Sequence, residues 1–180
     1  GEVELRLILV RHGETPWNQE RRVQGGLSDI ELSQTGKAQA QSLSAALTSE
    51  TIAAVYSSPL KRACVTAEAI ARPHSLQVVK LPELSEIDAG EMEGVVLTEA
   101  RGRLEAIMAE SSRDGSYLSL PGGESMLELQ GRAWAAIERI ASAHPRDTVV
   151  VVSHYFATQA IICRALGLPL SKARRLRLSI

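Results

Sequence analysis

The chain has 180 residues, the usual size of one globular domain, with 44% hydrophobic and 23% charged residues. That composition excludes a disordered tail, a collagen-like repeat and a disulfide miniprotein. Twenty basic and 21 acidic residues leave a formal net charge of -1, so no broad field draws the chain to nucleic acid or to an anionic membrane.

Strand-like and helix-like stretches alternate along the sequence. Leu5 to Val10 is short, apolar and β-branched at its end, and reads as a buried strand. Ser33 then caps a helix that runs through Ala38, Leu43, Ala46 and Leu47. Ala53 to Tyr56 predicts a second strand. Ser58 and Pro59 follow as N-cap and first residue of a helix that continues to about Ala71, where Pro73 stops it. Val78 to Leu81 predicts a third strand. A less regular cap segment at about 84–123 contains a helix near Thr98 to Glu110 and a loop rich in Gly and Ser. Glu124 to Ala143 carries Leu127, Ala133, Trp134, Ile137 and Ile140 at helical spacing. Thr148 to Val152 is the clearest strand, followed by a helix from about Ala157 to Leu166 that Gly167 and Pro169 end. Repeated βα alternation with near-continuous apolar strands predicts an α/β chain with a mostly parallel central sheet covered by helices. The absence of an internal repeat or dividing linker predicts a single domain over 1–180.

In such sheets ligands bind beyond the carboxyl ends of the strands. Arg11-His12-Gly13-Glu14-Thr15 follows the first strand, Ser57-Ser58-Pro59-Leu60-Lys61-Arg62 the second, and Ser153-His154-Tyr155 the last. Arg11 and Arg62 each offer a forked pair of donors to phosphate oxygens. Arg62 also falls in the first turn of its helix, where free N–H groups and the helix dipole favour an anion. A neutral imidazole is nucleophilic near pH 7, and arginines neutralise phosphoryl oxygens without a metal. A strand-end histidine can instead be a satisfied polar residue. A metal site of His12, His154, Glu14 and Asp88 is the weaker alternative, since adjacent arginines repel a cation and no tight His-x-x-x-His pair is present. No cofactor is expected. His74 and His144 flank prolines and read as surface residues.

No stretch approaches the roughly 18 apolar residues that span a bilayer, and Gly1-Glu2-Val3-Glu4 lacks the basic flank and apolar core of a secretory signal. Cys64 and Cys163 sit among apolar neighbours and read as buried free thiols in a reducing compartment, so the expected location is cytoplasmic. The apolar residues near Trp134 read either as core or as the interface of a homodimer.

The run Leu9-Val10-Arg11-His12-Gly13-Glu14-Thr15 with Trp17-Asn18 resembles the opening signature of the histidine phosphatase superfamily, in the branch with phosphoglycerate mutases. Further blocks resemble that family in order: Gln24-Gly25 with Asp29 and Leu32-Ser33; Tyr56 to Ala63 with Thr66-Ala67; Leu84-Ser85-Glu86 with Gly90 and Glu93-Gly94; Gly123-Glu124-Ser125; Val152-Ser153-His154. The resemblance implies a three-layer α/β/α phosphoglycerate mutase-like fold. It implies His12 as the nucleophile that becomes phosphohistidine, with Arg11, Arg62 and His154 in the phosphate pocket. Asn18, Gln24 and Gly25 would lie on its rim. Glu86 would be the acid that protonates the leaving oxygen and then the base that activates water. Glu83, Asp88 and Glu91 are near enough in sequence that Glu86 is singled out only by the family block.

Phosphoglycerate mutases of this family generally carry an arginine after the acid glutamate, a tyrosine shortly beyond it, and two adjacent arginines in an inserted segment. Here Ile87 and Ala89 occupy the first two places, and Arg101 and Arg103 are not adjacent. These departures favour a phosphatase of small phosphorylated metabolites over a mutase. The chain resembles most the small bacterial type that includes metal-independent phosphoserine and alpha-ribazole phosphatases. Arg101, Arg103, Arg113 and Tyr117 are candidate contacts to a substrate carboxylate. A third reading is a relative that binds phosphoesters or a partner protein without turnover. Tyr155 stands where many relatives have glycine, and its side chain would narrow the pocket or touch substrate. The ending Arg174 to Ile180 reads as stopping inside or just before a further strand.

Overall fold

The computed structural model describes residues 4–178. The segment 1–3 of the amino-terminal stretch and the last two residues of the tail lie outside it. Strands β1 (Arg6–Arg11), β2 (Ala54–Ser57), β3 (Val78–Lys80) and β4 (Thr148–Ser153) form one sheet in the order β1-β4-β2-β3, every neighbouring pair parallel. The main helices are α1 (Pro16–Gln19), α2 (Gln34–Leu47), α3 (Lys61–Ala71), α4 (Leu97–Ser111), α5 (Met126–Ala143) and α6 (Tyr155–Leu166). The ends of α2 to α6 fall within about two residues of the sequence reading, the range over which helix and strand limits fray, and the short α1 is an addition to it.

The sheet is buried on both faces, which is why its strands lack polar alternation. Along β4, Val150 and Val152 pack with Ala63, Ala67 and Ile70 of α3. Val149 and Val151 point the other way, to Ala133, Ile137 and Ile140 of α5 and Ile161 of α6. Three layers result, with α2 and α3 on one side and α5 and α6 on the other. The segment 84–123 shares its core with the rest: Ile87, Met92, Ala100, Leu118 and Leu120 pack with Met126, Leu129, Ala157 and Ala160.

Two local predictions need correction. Helix α3 begins at Lys61 with Leu60 as N-cap, not at Pro59 with Ser58. The Ser58 hydroxyl is occupied by His154, and the Lys61 amide is capped instead by Asp29 Oδ1 at 2.8 Å from a distant loop. His74 and His144 are half-buried rather than surface residues. His74 Nε2 bonds the Leu47 carbonyl at 3.0 Å, and His144 bridges the Tyr56 hydroxyl and Asp147 at 2.9 Å each. Cys64 and Cys163 are buried free thiols, and Trp134 packs half-buried against the α5 face of the core.

Candidate active site

Because β1 and β4 are hydrogen-bonded neighbours with Arg11 opposite Ser153, the residues that follow them emerge together. The His12 amide donates to the Ser153 carbonyl at 3.2 Å, which extends the ladder by one step. His12 and His154 thus lie side by side, ring centroids 5.1 Å apart, both buried. The loop after β1 is fixed by close backbone approach: a Cβ on Gly13 would lie 2.5 Å from the Gly36 carbonyl oxygen, and one on Gly36 would overlap the Glu14 carbonyl. Only glycine fits either place.

One hydrogen bond assigns the His12 tautomer. His12 Nδ1 lies 2.6 Å from the Gly13 carbonyl, which can only accept, so Nδ1 carries the proton and Nε2 keeps its lone pair. Ser58 Oγ accepts the Leu60 amide at 3.2 Å and lies 2.8 Å from His154 Nε2. His154 Nδ1 is buried without a partner among the described residues. Burial, then the Arg62 charge, pulls the His12 pKa down to about 3. Burial, with His12 next, holds His154 well below its ordinary value.

Arg62 is fully buried in the first turn of α3. It donates to the Ser28 carbonyl at 2.5 Å and the Gly25 carbonyl at 3.2 Å, while its Nε is buried without a partner among the described residues. Desolvation brings its pKa down to about 10, so it remains charged at neutral pH. Arg11 sits 5.0 Å above the Tyr155 ring, donates to the Leu178 carbonyl at 3.3 Å, and has an Nε that is buried without a partner among the described residues. Two guanidinium N–H groups thus lack partners among the described residues, beside an imidazole nitrogen that also lacks one. An oxyanion would satisfy the guanidinium donors.

Glu86 lies buried beside this group. Its Oε2 accepts the Phe156 amide at 2.9 Å, and its Oε1 accepts Ala157 at 3.0 Å and Ile87 at 2.9 Å. Phe156 and Ala157 are in the first turn of α6, where free amides and the helix dipole attract a carboxylate. Desolvation nevertheless outweighs those donors and raises the Glu86 pKa.

The expected rim residues are tied into the loop after β1 and to the carboxylate of Glu93. Asn18 Oδ1 accepts the Thr15 amide at 2.9 Å in a capping box on α1. Gln24 Oε1 accepts the Thr15 hydroxyl at 2.6 Å. The Gly25 amide is taken by Glu93 Oε1 at 2.7 Å, so Gly25 offers no N–H to a ligand and acts through its carbonyl on Arg62. Glu14 bonds Ser33 and Gln19, Asp88 bonds the Gly90 amide, and no cluster of three or more His, Cys, Asp or Glu suited to a metal ion occurs among the described residues. Arg101 and Arg113 are exposed, and Arg103 is paired with Glu91. Sequence reasoning missed Asp29, Ser58 as the His154 partner, the α6 amides and Arg132, whose contacts all come from tertiary structure.

The model of the histidine phosphatase superfamily (branch 1) matches residues 7–179. Phosphoserine phosphatase 1 of Hydrogenobacter thermophilus is 38% identical over 168 residues, covering 93% of this chain and 79% of that protein. A probable phosphoglycerate mutase of Proteus mirabilis is 38% identical over 177 residues, covering 97% and 80%. Among solved structures, a phosphoserine phosphatase mutant of Entamoeba histolytica in complex with phosphoserine aligns with a TM-score of 0.86 at 26% identity, covering 97% of this chain and 86% of that one.

Proposed function

The chain belongs to branch 1 of the histidine phosphatase superfamily, and from that premise we propose that it is a phosphomonoesterase of small phosphorylated metabolites. The observation that carries the reading is the pair of adjacent histidines with the Arg11 and Arg62 Nε–H groups unmatched among the described residues. In this mechanism the phosphoryl oxygens accept from those donors. His12 Nε2 attacks phosphorus, and the P–O bond to the leaving group breaks as Glu86 gives that oxygen its proton. Water then attacks the phosphohistidine. Glu86, now a carboxylate, takes the water proton, the P–N bond breaks, and inorganic phosphate leaves with His12 neutral again. Hydrolysis of such esters is among the slowest uncatalysed reactions, so a barrier reduction on the order of 20 kcal/mol is shared among these groups.

A mutase is the second reading, favoured by the name of the Proteus mirabilis relative. It requires a bisphosphorylated intermediate to be held through two transfers. Ile87 and Ala89 are buried in the apolar core, and Arg103 is paired with Glu91, so little spare positive charge surrounds Glu86 for that purpose. Water as second acceptor fits better. The phosphoserine-named relatives support a substrate carrying a carboxylate.

The test is hydrolysis of p-nitrophenyl phosphate, phosphoserine and 3-phosphoglycerate with a chelator present, with acid-labile phosphate on His12 followed by mass spectrometry. Turnover with trapped phosphohistidine is expected, and His12→Ala abolishes both. Phosphohistidine without hydrolysis would favour the mutase. Neither signal from folded protein would leave a non-catalytic binding module.

A further inference from the structure

Glu86 belongs to no helix or strand, lying between the short 3-10 turns Pro82–Leu84 and Gly90–Met92. Something other than secondary structure must hold its backbone. Arg132 of α5 supplies the hold with all five guanidinium hydrogens. Its Nη1 donates to the carbonyls of Glu83 and Ser85 at 2.8 Å each, and Nη2 donates to the carbonyl of Glu86 itself at 2.9 Å. The remaining two hydrogens go to Glu124, Nε to Oε2 at 2.7 Å and Nη2 to Oε1 at 2.8 Å. Glu124 then reaches the far side of Glu86, accepting the Asp88 amide at 3.2 Å and donating its own amide to the Asp88 carbonyl at 2.8 Å. The backbone is gripped at 83, 85, 86 and 88. The grip is anchored on a helix that is locked by a Ser125–Glu128 capping box and packed through Ala133 and Ile137 into the core.

We propose that Arg132, neutralised by Glu124, is the positioning residue for the Glu86 carboxyl, setting its reach to the leaving oxygen. Arg132 touches no reacting atom in this scheme. The inference rests on the reading of Glu86 as general acid. Proton transfer needs heavy atoms within hydrogen-bond reach, and a displacement of about 1 Å costs on the order of 100-fold. Lysine keeps the charge but cannot span three carbonyls and a carboxylate, because its donors radiate from one atom.

The experiment compares kcat/KM for an alkyl phosphate and for p-nitrophenyl phosphate, whose leaving group needs little protonation, in wild type, Arg132→Lys, Glu124→Gln and Glu86→Gln. This ratio reports the first transfer and is untouched by a slow common dephosphorylation. Arg132→Lys is expected to lower the alkyl value roughly 10- to 100-fold while the aryl value falls less than about threefold. Glu124→Gln shows the same selectivity at smaller size, and serves if Arg132→Lys fails to fold. Equal losses on both substrates in the clamp variants, beside a selective Glu86→Gln, overturn the clamp alone. An unselective Glu86→Gln overturns the acid reading and the clamp with it.

Discussion

The imidazoles of His12 and His154 sit 5.1 Å apart at the ends of adjacent strands, and burial beside Arg62 keeps both uncharged. A site that suppresses positive charge on its histidines while burying a guanidinium between two carbonyl oxygens is arranged for an anion that arrives later. The electrostatic cost of burying these groups and their affinity for an oxyanion have the same origin.

That cost should appear in the pH dependence of stability. The unfolded chain protonates His12 near 6.5, whereas the folded one does so only at about 3. Between those values the unfolded state binds more protons, so stability is present above 6.5 and is lost as pH falls. For His12 alone, going from pH 6.5 to 5 costs on the order of 2 kcal/mol. Urea midpoints measured from pH 7.5 to 5 should fall more steeply for wild type than for His12→Asn. Equal slopes would show that His12 titrates normally in the folded protein.

Arg62→Met tests the anion site at a cost in stability. The variant removes a buried charge but leaves the Ser28 and Gly25 carbonyls unmatched, at about 1–3 kcal/mol for each buried acceptor, so a lowered melting temperature is expected beside the loss of function. Activity should fall by about 100- to 1,000-fold, as for a lost positioned donor. Thermal scans with inorganic phosphate check the cause: wild type is stabilised by the ligand and Arg62→Met is not. A ligand-induced shift that survives in the variant places the anion elsewhere.

Glu86 should impose the alkaline limb of kcat/KM on alkyl phosphates. Its pKa is raised, so the protonated acid persists above the ordinary carboxylate range and is lost as pH rises through the shifted value. Glu86→Gln removes that limb and lowers alkyl phosphate turnover by about 100- to 10,000-fold. An unchanged alkaline limb in the variant assigns it to another group.

The sheet and its crossovers were legible because each strand is a short apolar run bounded by capping or turn residues. The proximity of His12 and His154 was only half legible. Each visibly ends a strand, but 142 positions separate them, and the adjacency depends on β4 inserting between β1 and β2 in the sheet order. Glu86 was hidden among neighbouring carboxylates, since nothing local distinguishes the one that meets the α6 amides. Arg132 looked like any polar residue on the outer face of an amphipathic helix. The role of Gly25 was not legible, since nothing local shows that Glu93 takes its N–H and that its carbonyl holds Arg62.

The displaced cap of α3 yields a last prediction. Ser58-Pro59 has the local chemistry of a helix start, yet the serine hydroxyl is committed to His154, and Asp29 supplies the cap across 32 positions. The same aspartate adds negative charge near the helix N-terminus that carries Arg62, and its charge favours the protonated guanidinium. Asp29→Ala should cost about 1 kcal/mol of stability, as loss of an N-cap does. Because the loop from Gly25 to Asp29 also supplies the two carbonyls that orient Arg62, KM should rise more than kcat falls. Asp29→Asn keeps an oxygen for the Lys61 amide and should recover most of the stability, but less of the binding. If Asn and Ala variants bind substrate equally poorly, charge at position 29 matters more than the cap; if Asn restores both properties, the cap alone explains the effect.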